Sequence, residues 1–443
     1  MKTRAWMIVA AAAFAVMSCS LDAKYSVGGT LTGLMGQGLV LEDNMGDDLN
    51  IASNGAFAFS KGIKNNDAYS VTVRTQPSNP TQTCTVHNGS GTIDKADVSD
   101  IIVSCTQPGR FAYVANQVSD DVWAYSIDSA TGLLTPVAGS PFLASSSALV
   151  SSLTVDPNGR YLYVVGNGSN DVAVFSIDNS TGALTSAGLP IQTGSGPDAV
   201  IVDPRDSYLY VANLTSNSIS AYAINSSTGL LTEIAGSPFP AGAQPSSLKI
   251  DPNGNYLYVT NFGDGDVDVF AINAATGSLT GISGSPFAAG TGALSIAIDP
   301  ADTYAYVANA TAAGISEYSI ASSTGALTMV AGSPLATTTS PASLTFDPAG
   351  RYVYAANVTA NNEVAQYSVS PGSGALTLSG SPVAAGALPV AIAIDPSGLL
   401  LYVANQNSND VSVYSVEAAT GALTPVKLSP FAAGNGPHAI AID

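Results

Sequence analysis

Beyond residue 107 the chain holds a single histidine, His438, and two acids are its candidate partners, Asp198 at the start of another first strand and Asp410 between a second and a third strand of the repeat. An imidazole next to a carboxylate is the pair that activates water for attack on an ester or lactone carbonyl. Such a reaction also needs donors or cations for the oxyanion that develops. Here the sequence is poor: the same stretch has only Arg110, Arg160, Arg205, Lys249, Arg351 and Lys427 as basic residues. Lys249, inside an apolar run, is the cation best placed to reach an interior channel. Read as structure instead, His438 is a polar residue capping the last strand of the chain.

A second group of acids sits in short polar turns: Asp120, Asp121, Asp171, Asp264, Asp266 and Glu363, again with Asp410 and with Asn170 among them. Asp264-Gly265-Asp266-Val267-Asp268 places three carboxylates in five residues, which invites a divalent cation such as calcium. The run passes into a strand, however, and no distant Glu follows in loop register, so a solvated turn is the preferred reading. No Cys-His metal spacing, phosphate-binding glycine loop or Gly-x-Ser-x-Gly elbow is present. No cofactor and no metal ligand set are assigned.

The elements that must position these residues come from an internal repeat. FAYVAN at Phe111 to Asn116 recurs as YLYVVGN, YLYVAN, YLYVTN, YAYVAN, YVYAAN and LLYVAN, ending at Asn405. The Asp of a following turn, at 156, 203, 251, 299, 347, 395 and 443, keeps a step of 47 and then 48 residues. Each unit reads as four strands: an apolar run before Asp-Pro, the YVAN strand, a Val-Ser-Val-Tyr type run, and a short strand after Thr-Gly. A long loop with Gly-Ser-Pro-Phe follows. Asp-Pro-Asn-Gly is a tight turn, with Pro presetting φ and Gly accepting positive φ. The Asn closing each YVAN strand is expected to bond local backbone as the chain turns.

Periods of this size made of four strands indicate propeller blades. The repeats begin on a second strand at Phe111 and end on a first strand, His438 to Ile442. The last strand can therefore complete the first blade and leave no open edge. The expected fold is all-β: a seven-bladed β-propeller of four-stranded blades over residues 108–443, closed by the C-terminal strand. Loops between second and third strands share one face with the starts of the first strands, so Asp120, Asp121, Asp171, Asp264, Asp266, Glu363, Asp410, Asp198 and His438 gather at one mouth of the channel. Trp123 replaces a small residue of the repeat, with blade packing as its preferred role.

Asp395-Pro396-Ser397-Gly398, Leu401-Tyr402-Val403-Ala404-Asn405, Asp410 to Val416 and Thr420-Gly421-Ala422-Leu423-Thr424 resemble the YVTN repeat of the seven-bladed lactonase-like propellers. That family includes the propeller-type 6-phosphogluconolactonases. The resemblance covers essentially all of residues 110–443 and implies the fold and, as an activity, opening of a lactone ring. Its motifs are turns and core strands, so it transfers no catalytic set. An acidic mouth with at most one cation disfavours a phosphorylated sugar acid as substrate.

Residues 25–107 lack the repeat. Strand runs at Ser26 to Leu34, Leu39 to Asn44, Leu49 to Ser60, Tyr69 to Thr75, Thr81 to His87 and Asp100 to Thr106 predict a small β-sandwich. Cys84 and Cys105 are expected to form a disulfide in it. Residues 1–19 read as an export signal: Lys2 and Arg4, an apolar run from Met7 to Val16 too short to span a bilayer, then Val16-Met17-Ser18-Cys19. The last four residues resemble a bacterial lipobox, which implies lipidation of Cys19, a membrane contact only through that anchor, and a cell-envelope location, the outer membrane being preferred.

The chain of 443 residues carries a formal charge of −19, with 10% charged and 46% hydrophobic residues. That balance excludes disorder and disfavours nucleic acid as a partner. The expected role is a lipid-anchored binding or interaction scaffold for an unidentified protein or small-molecule ligand. The alternative is a lactonase-like hydrolase.

Overall fold

A strand covered on both faces shows no alternation of polar and apolar residues. The YVAN strands are of this kind: Phe111–Asn116, Tyr161–Gly166, Tyr208–Asn213 and Leu400–Asn405 are buried at every position. Burial on both faces requires a neighbour on each side, which is the situation of a blade in a ring. The computed structural model describes residues 24–34, 37–44, 46–77, 82–106, 111–144, 149–358 and 361–443. The charged start, the apolar run, Cys19, Pro108-Gly109 and Arg110 lie outside the described residues. No helix among the described residues is long and apolar enough to cross a membrane. Two compact units are present, Met1–Thr106 and Gln107–Asp443.

The second unit is a seven-bladed propeller. Blade 1 pairs Pro437–Ile442, Phe111–Asn116, Asp121–Ile127 and Leu134–Pro136 in that order, so the last strand of the chain is the inner strand of the first blade. Asp443 completes the closure, its Oδ1 accepting the backbone N–H of Phe111 at 2.7 Å. Blades 2 to 7 have inner strands Val150–Val155, Pro197–Val202, Pro245–Ile250, Ala293–Ile298, Pro341–Phe346 and Pro389–Ile394. Each inner strand packs on the next, and Pro437–Ile442 packs on both Val150–Val155 and Pro389–Ile394, which surrounds a central bore.

The Gly-Ser-Pro-Phe segment is more ordered than a long loop. Two-residue strands such as Phe142–Leu143 and Phe239–Pro240 pair with the start of the third strand, giving each blade a fifth short piece. The Ser hydroxyl of the same segment accepts a third-strand N–H, as Ser140 does from Ala124 and Ser285 from Val269. Blades are stitched to one another by tyrosines. Tyr163, Tyr210 and Tyr258 donate to the carbonyls of Gly229, Gly277 and Gly325, the Thr-Gly turns of the next blade. Burial pushes the phenols up, to about 12 for Tyr222, Tyr318 and Tyr414.

The first unit has two four-stranded sheets. One runs Gly55–Ala58, Val27–Thr32, Val98–Thr106, Thr83–His87; the other runs Asp47–Ile51, Leu39–Asp43, Ala68–Thr75, Ser90–Thr92. They share a core of Val27, Leu31, Leu39, Leu41, Val71, Ile101 and Val103. Cys84 and Cys105 are directly opposed in neighbouring strands and bonded, with Cα atoms 3.9 Å apart. The run Leu49 to Ser60 divides into two strands in different sheets. Asn54, whose side chain bonds both N–H and C=O of Leu34 at 2.7 and 3.0 Å, and Gly55 at φ 127° turn the chain between them.

Candidate functional site

Most acids of the mouth face hold the scaffold. Asp120, at φ 54°, accepts the N–H of Leu149 through Oδ1 at 2.6 Å. Asn170, Asn217, Asn362 and Asn409 make the same bond to Gly196, Gln244, Leu388 and Gly436, each at the entry to the next blade. Each ties the turn after the second strand to the loop approaching the inner strand. Asp264 accepts from Ala243 N at 2.6 Å, a task that Ser119, Ser216 and Ser408 perform elsewhere in the ring.

The acids opening the third strands pair with the Asn of the YVAN strand, side chain to side chain rather than to backbone alone. Asn116 donates to Asp121, Asn261 to Asp266 and Asn405 to Asp410, at 2.8, 2.8 and 2.7 Å. Burial raises the carboxyls of Asp121 and Asp266, opposed by these hydrogen bonds. Blade 2 has Gly166 in place of the Asn, and Ser169 donates to Asp171 instead, at 2.6 Å. Glu363 opens the third strand of blade 6 opposite Asn357. Asp268 accepts from Asn261 and from Gly242 N, so all three carboxylates of the Asp264–Asp268 run are engaged by protein donors. Among the described residues no group of three or more His, Cys, Asp or Glu converges on a point where a metal ion would sit. Trp123 is half-buried against Tyr125, with ring centroids 5.9 Å apart.

The inner strands carry a feature that the sequence pattern hides. In every blade the register slips next to the second inner-strand residue, as between Val150 and Ser152, Pro197 and Ala199, or Pro245 and Ser247. A bulge of this kind leaves one residue unpaired and re-aims its side chain. Ser151 Oγ donates to the carbonyl of Pro197 and Ser246 Oγ to that of Ala293, each on the next inner strand. One position further on, Ser295 and Ser343 also reach the next inner strand, accepting from Leu344 N and Ile392 N. The bulge therefore turns two consecutive side chains toward the next blade and the bore.

Seven bulges give seven mouth positions, occupied by His438, Ser151, Asp198, Ser246, Leu294, Ala342 and Val390 around the ring. The inner strands contain only three ionisable residues: His438 in blade 1, Asp198 in blade 3 and Lys249 in blade 4. With Ser151 of blade 2 they form one continuous polar arc, and blades 5 to 7 supply an apolar wall. His438 Nδ1 lies 2.8 Å from the carbonyl oxygen of Ser151. A carbonyl only accepts, so Nδ1 carries the proton and the lone pair is on Nε2, which has no partner among the described residues. Asp198 is desolvated, which raises its carboxyl, and the nearby His438 opposes that rise. Lys249 keeps water contact while surrounded by protein, and desolvation pulls its ammonium below the usual lysine range.

Of the predicted site residues, the fold thus brings His438 and Asp198 together across one intervening strand. Asp410 instead lies on a third strand, held by Asn405 and Ser408. Ser151 was not singled out from the sequence. Aligning the residue that follows the first position of each inner strand would have found it, because that column alone mixes His, Asp and Ser with Leu, Ala and Val.

The profile described as "Lactonase, 7-bladed beta-propeller" matches residues 69–195, 108–243 and 240–438. No curated protein sequence matches the chain. Among solved structures, a candidate 6-phosphogluconolactonase from Bacteroides uniformis is 20% identical with a TM-score of 0.67, over 76% of this chain and 100% of that one. A second candidate 6-phosphogluconolactonase, from Bacteroides fragilis, is 21% identical with a TM-score of 0.67, over 75% and 97%. The periplasmic gluconolactonase of Pseudomonas aeruginosa is 19% identical with a TM-score of 0.66, over 75% and 98%. At these identities the likeness is one of fold. The extent of the profile match, joined to seven closed blades, places the chain in the lactonase family of seven-bladed β-propellers.

Proposed function

We propose that the propeller hydrolyses a lactone lacking a phosphate group at the bulge-lined mouth of its bore. The reading is carried by His438, whose Nδ1–H bond to Ser151 leaves Nε2 as a free base beside Asp198. Nε2 takes a proton from water as the water oxygen bonds to the lactone carbonyl carbon. Collapse of the tetrahedral adduct breaks the ring C–O bond, and the imidazolium returns the proton to the leaving alkoxide. Asp198 lies on the inner strand beyond Ser151, close enough for the two groups to interact. Lys249 and the hydroxyl of Ser247, on the same side of that inner strand, are the donors available to the oxyanion, since the Ser151 and Ser246 hydroxyls donate to the carbonyls of Pro197 and Ala293. One lysine on the inner strands is a weak counterpart for a phosphate dianion, which is why an unphosphorylated ring is the preferred substrate.

The test is a panel of neutral and phosphorylated lactones followed by acid release, with His438→Ala and Asp198→Asn. Turnover of a neutral lactone falling at least about 100-fold in His438→Ala is the expected result. Absence of turnover across the panel, or turnover indifferent to His438, would overturn it.

A second reading, a binding scaffold without chemistry, is favoured by one observation: the mouth-face carboxylates are largely occupied in loop-holding bonds. For either role the location proposed from Lys2, Arg4 and the run ending at Cys19 is the cell envelope, with the mature chain lipid-anchored. Acyl labelling lost in Cys19→Ala is the expected check.

A further inference from the structure

Lys249 is the one lysine or arginine on the seven inner strands and makes no hydrogen bond or ion pair among the described residues. Its ammonium meets the water of the bore and is ringed by protein that offers it no counter-charge, which an anion entering the bore would supply. The surroundings favour an anion. Ser247 lies two residues before Lys249 on the same strand, hence on the same side of it. Ser295 and Ser343, on the next two inner strands, use their hydroxyl oxygens to accept backbone N–H groups at 3.2 and 3.3 Å. A hydroxyl that accepts in this way still has its own proton to donate. Below the mouth, the bore therefore presents one ammonium and several hydroxyl donors, with no carboxylate on the inner strands of blades 4 to 7.

We propose that the bore holds a small carboxylate, its oxygens on Lys249 Nζ and on the hydroxyls of Ser247 and Ser295. The site follows from the bore alone. Its natural occupant, a hydroxy acid with the carboxylate lowered into the bore, rests on the lactone-opening reading, since ring opening generates that group at the mouth.

Calorimetric titration of the full-length mature chain with acetate and with gluconate, in chloride-free buffer, tests it, with sorbitol as the uncharged control. Both carboxylates should bind saturably and sorbitol should not. Lys249→Met should weaken both by about 10-fold or more, the effect of losing a charged hydrogen bond, and Lys249→Arg should bind more tightly than Lys249→Met. Lys249→Met removes an unpaired charge and should fold; near-ultraviolet circular dichroism checks this, with Lys249→Gln as the second variant. No saturable carboxylate binding to the wild type, or equal binding by wild type and Lys249→Met, overturns the proposal. Carboxylate binding without hydrolysis of any lactone would sink the lactone-opening reading and leave the site standing.

Discussion

His438 and Ser151 belong to opposite ends of the propeller sequence, yet the imidazole Nδ1 is 2.8 Å from the serine carbonyl. Ring closure makes them neighbours: the inner strand of blade 1 is the last strand of the chain and that of blade 2 is the first to be followed by its own YVAN strand. The bond is to backbone, so Ser151→Ala keeps it and removes the hydroxyl bonds to the carbonyls of Pro197, at 2.7 Å, and Val165, at 3.4 Å. This variant should lose about 1 kcal/mol of stability in denaturant titration. It should leave the pH profile of any lactone turnover unchanged, because the tautomer of His438 is still held.

The tyrosine stitches allow a paired test. Tyr258 donates to Gly325 at 3.1 Å, whereas the buried hydroxyl of Tyr402 has no partner among the described residues. Tyr258→Phe should cost about 1 kcal/mol, and Tyr402→Phe should be neutral or stabilising, since it discards an unsatisfied polar group. Thermal unfolding of both variants decides it, and equal losses would refute the assignment.

Asp302 stands at φ 57° in the turn after Asp299, where blade 2 has Gly159 and blade 4 has Gly254. Burial, reinforced by Asp251, raises its carboxyl to about 6. A carboxyl raised on folding binds its proton more tightly in the native state. It therefore penalises stability at pH 7, and the penalty disappears as pH falls through about 6 toward the unfolded value near 4. Asp302→Asn should raise stability at pH 7, by on the order of 2 kcal/mol, and the gain should shrink below pH 5. Asn also suits the left-handed backbone there. Melting curves at pH 5 and 7 are the measurement.

Asp264 supplies a bond that serine supplies in three other blades. Asp264→Ser should therefore change stability by less than about 0.5 kcal/mol, and Asp264→Ala should cost about 1 kcal/mol. If calcium raised the melting temperature of the wild type and not of Asp264→Ser, the carboxylate would be a ligand instead of a loop tie.

In the first unit, reduction of Cys84–Cys105 opens a loop of separation 21. The loss expected is roughly 3 kcal/mol for residues 24–106, with the propeller transition unmoved, which calorimetry with and without a reductant would show.

The sequence by itself determined the seven-bladed ring. Its period, its turn residues and its strands apolar at every position are local signals, and the phase mismatch between first and last repeats implied closure. It also marked His438, Asp198 and Lys249 as breaks in the repeat. Only the tertiary structure decided which acids are free. Asp120, Asp264, Asp266 and Asp410 look like a mouth cluster in one dimension, but Asp264, Asp266 and Asp410 are spent on donors of their own blades and Asp120 on the entry to the next. Only the structure revealed the seven bulges, because a bulge is a property of register between two strands and leaves no mark in either one alone. The polar arc from His438 through Ser151 and Asp198 to Lys249 exists because closure sets the last strand beside Val150–Val155, the first inner strand of the chain, a relationship that no stretch of neighbouring residues encodes.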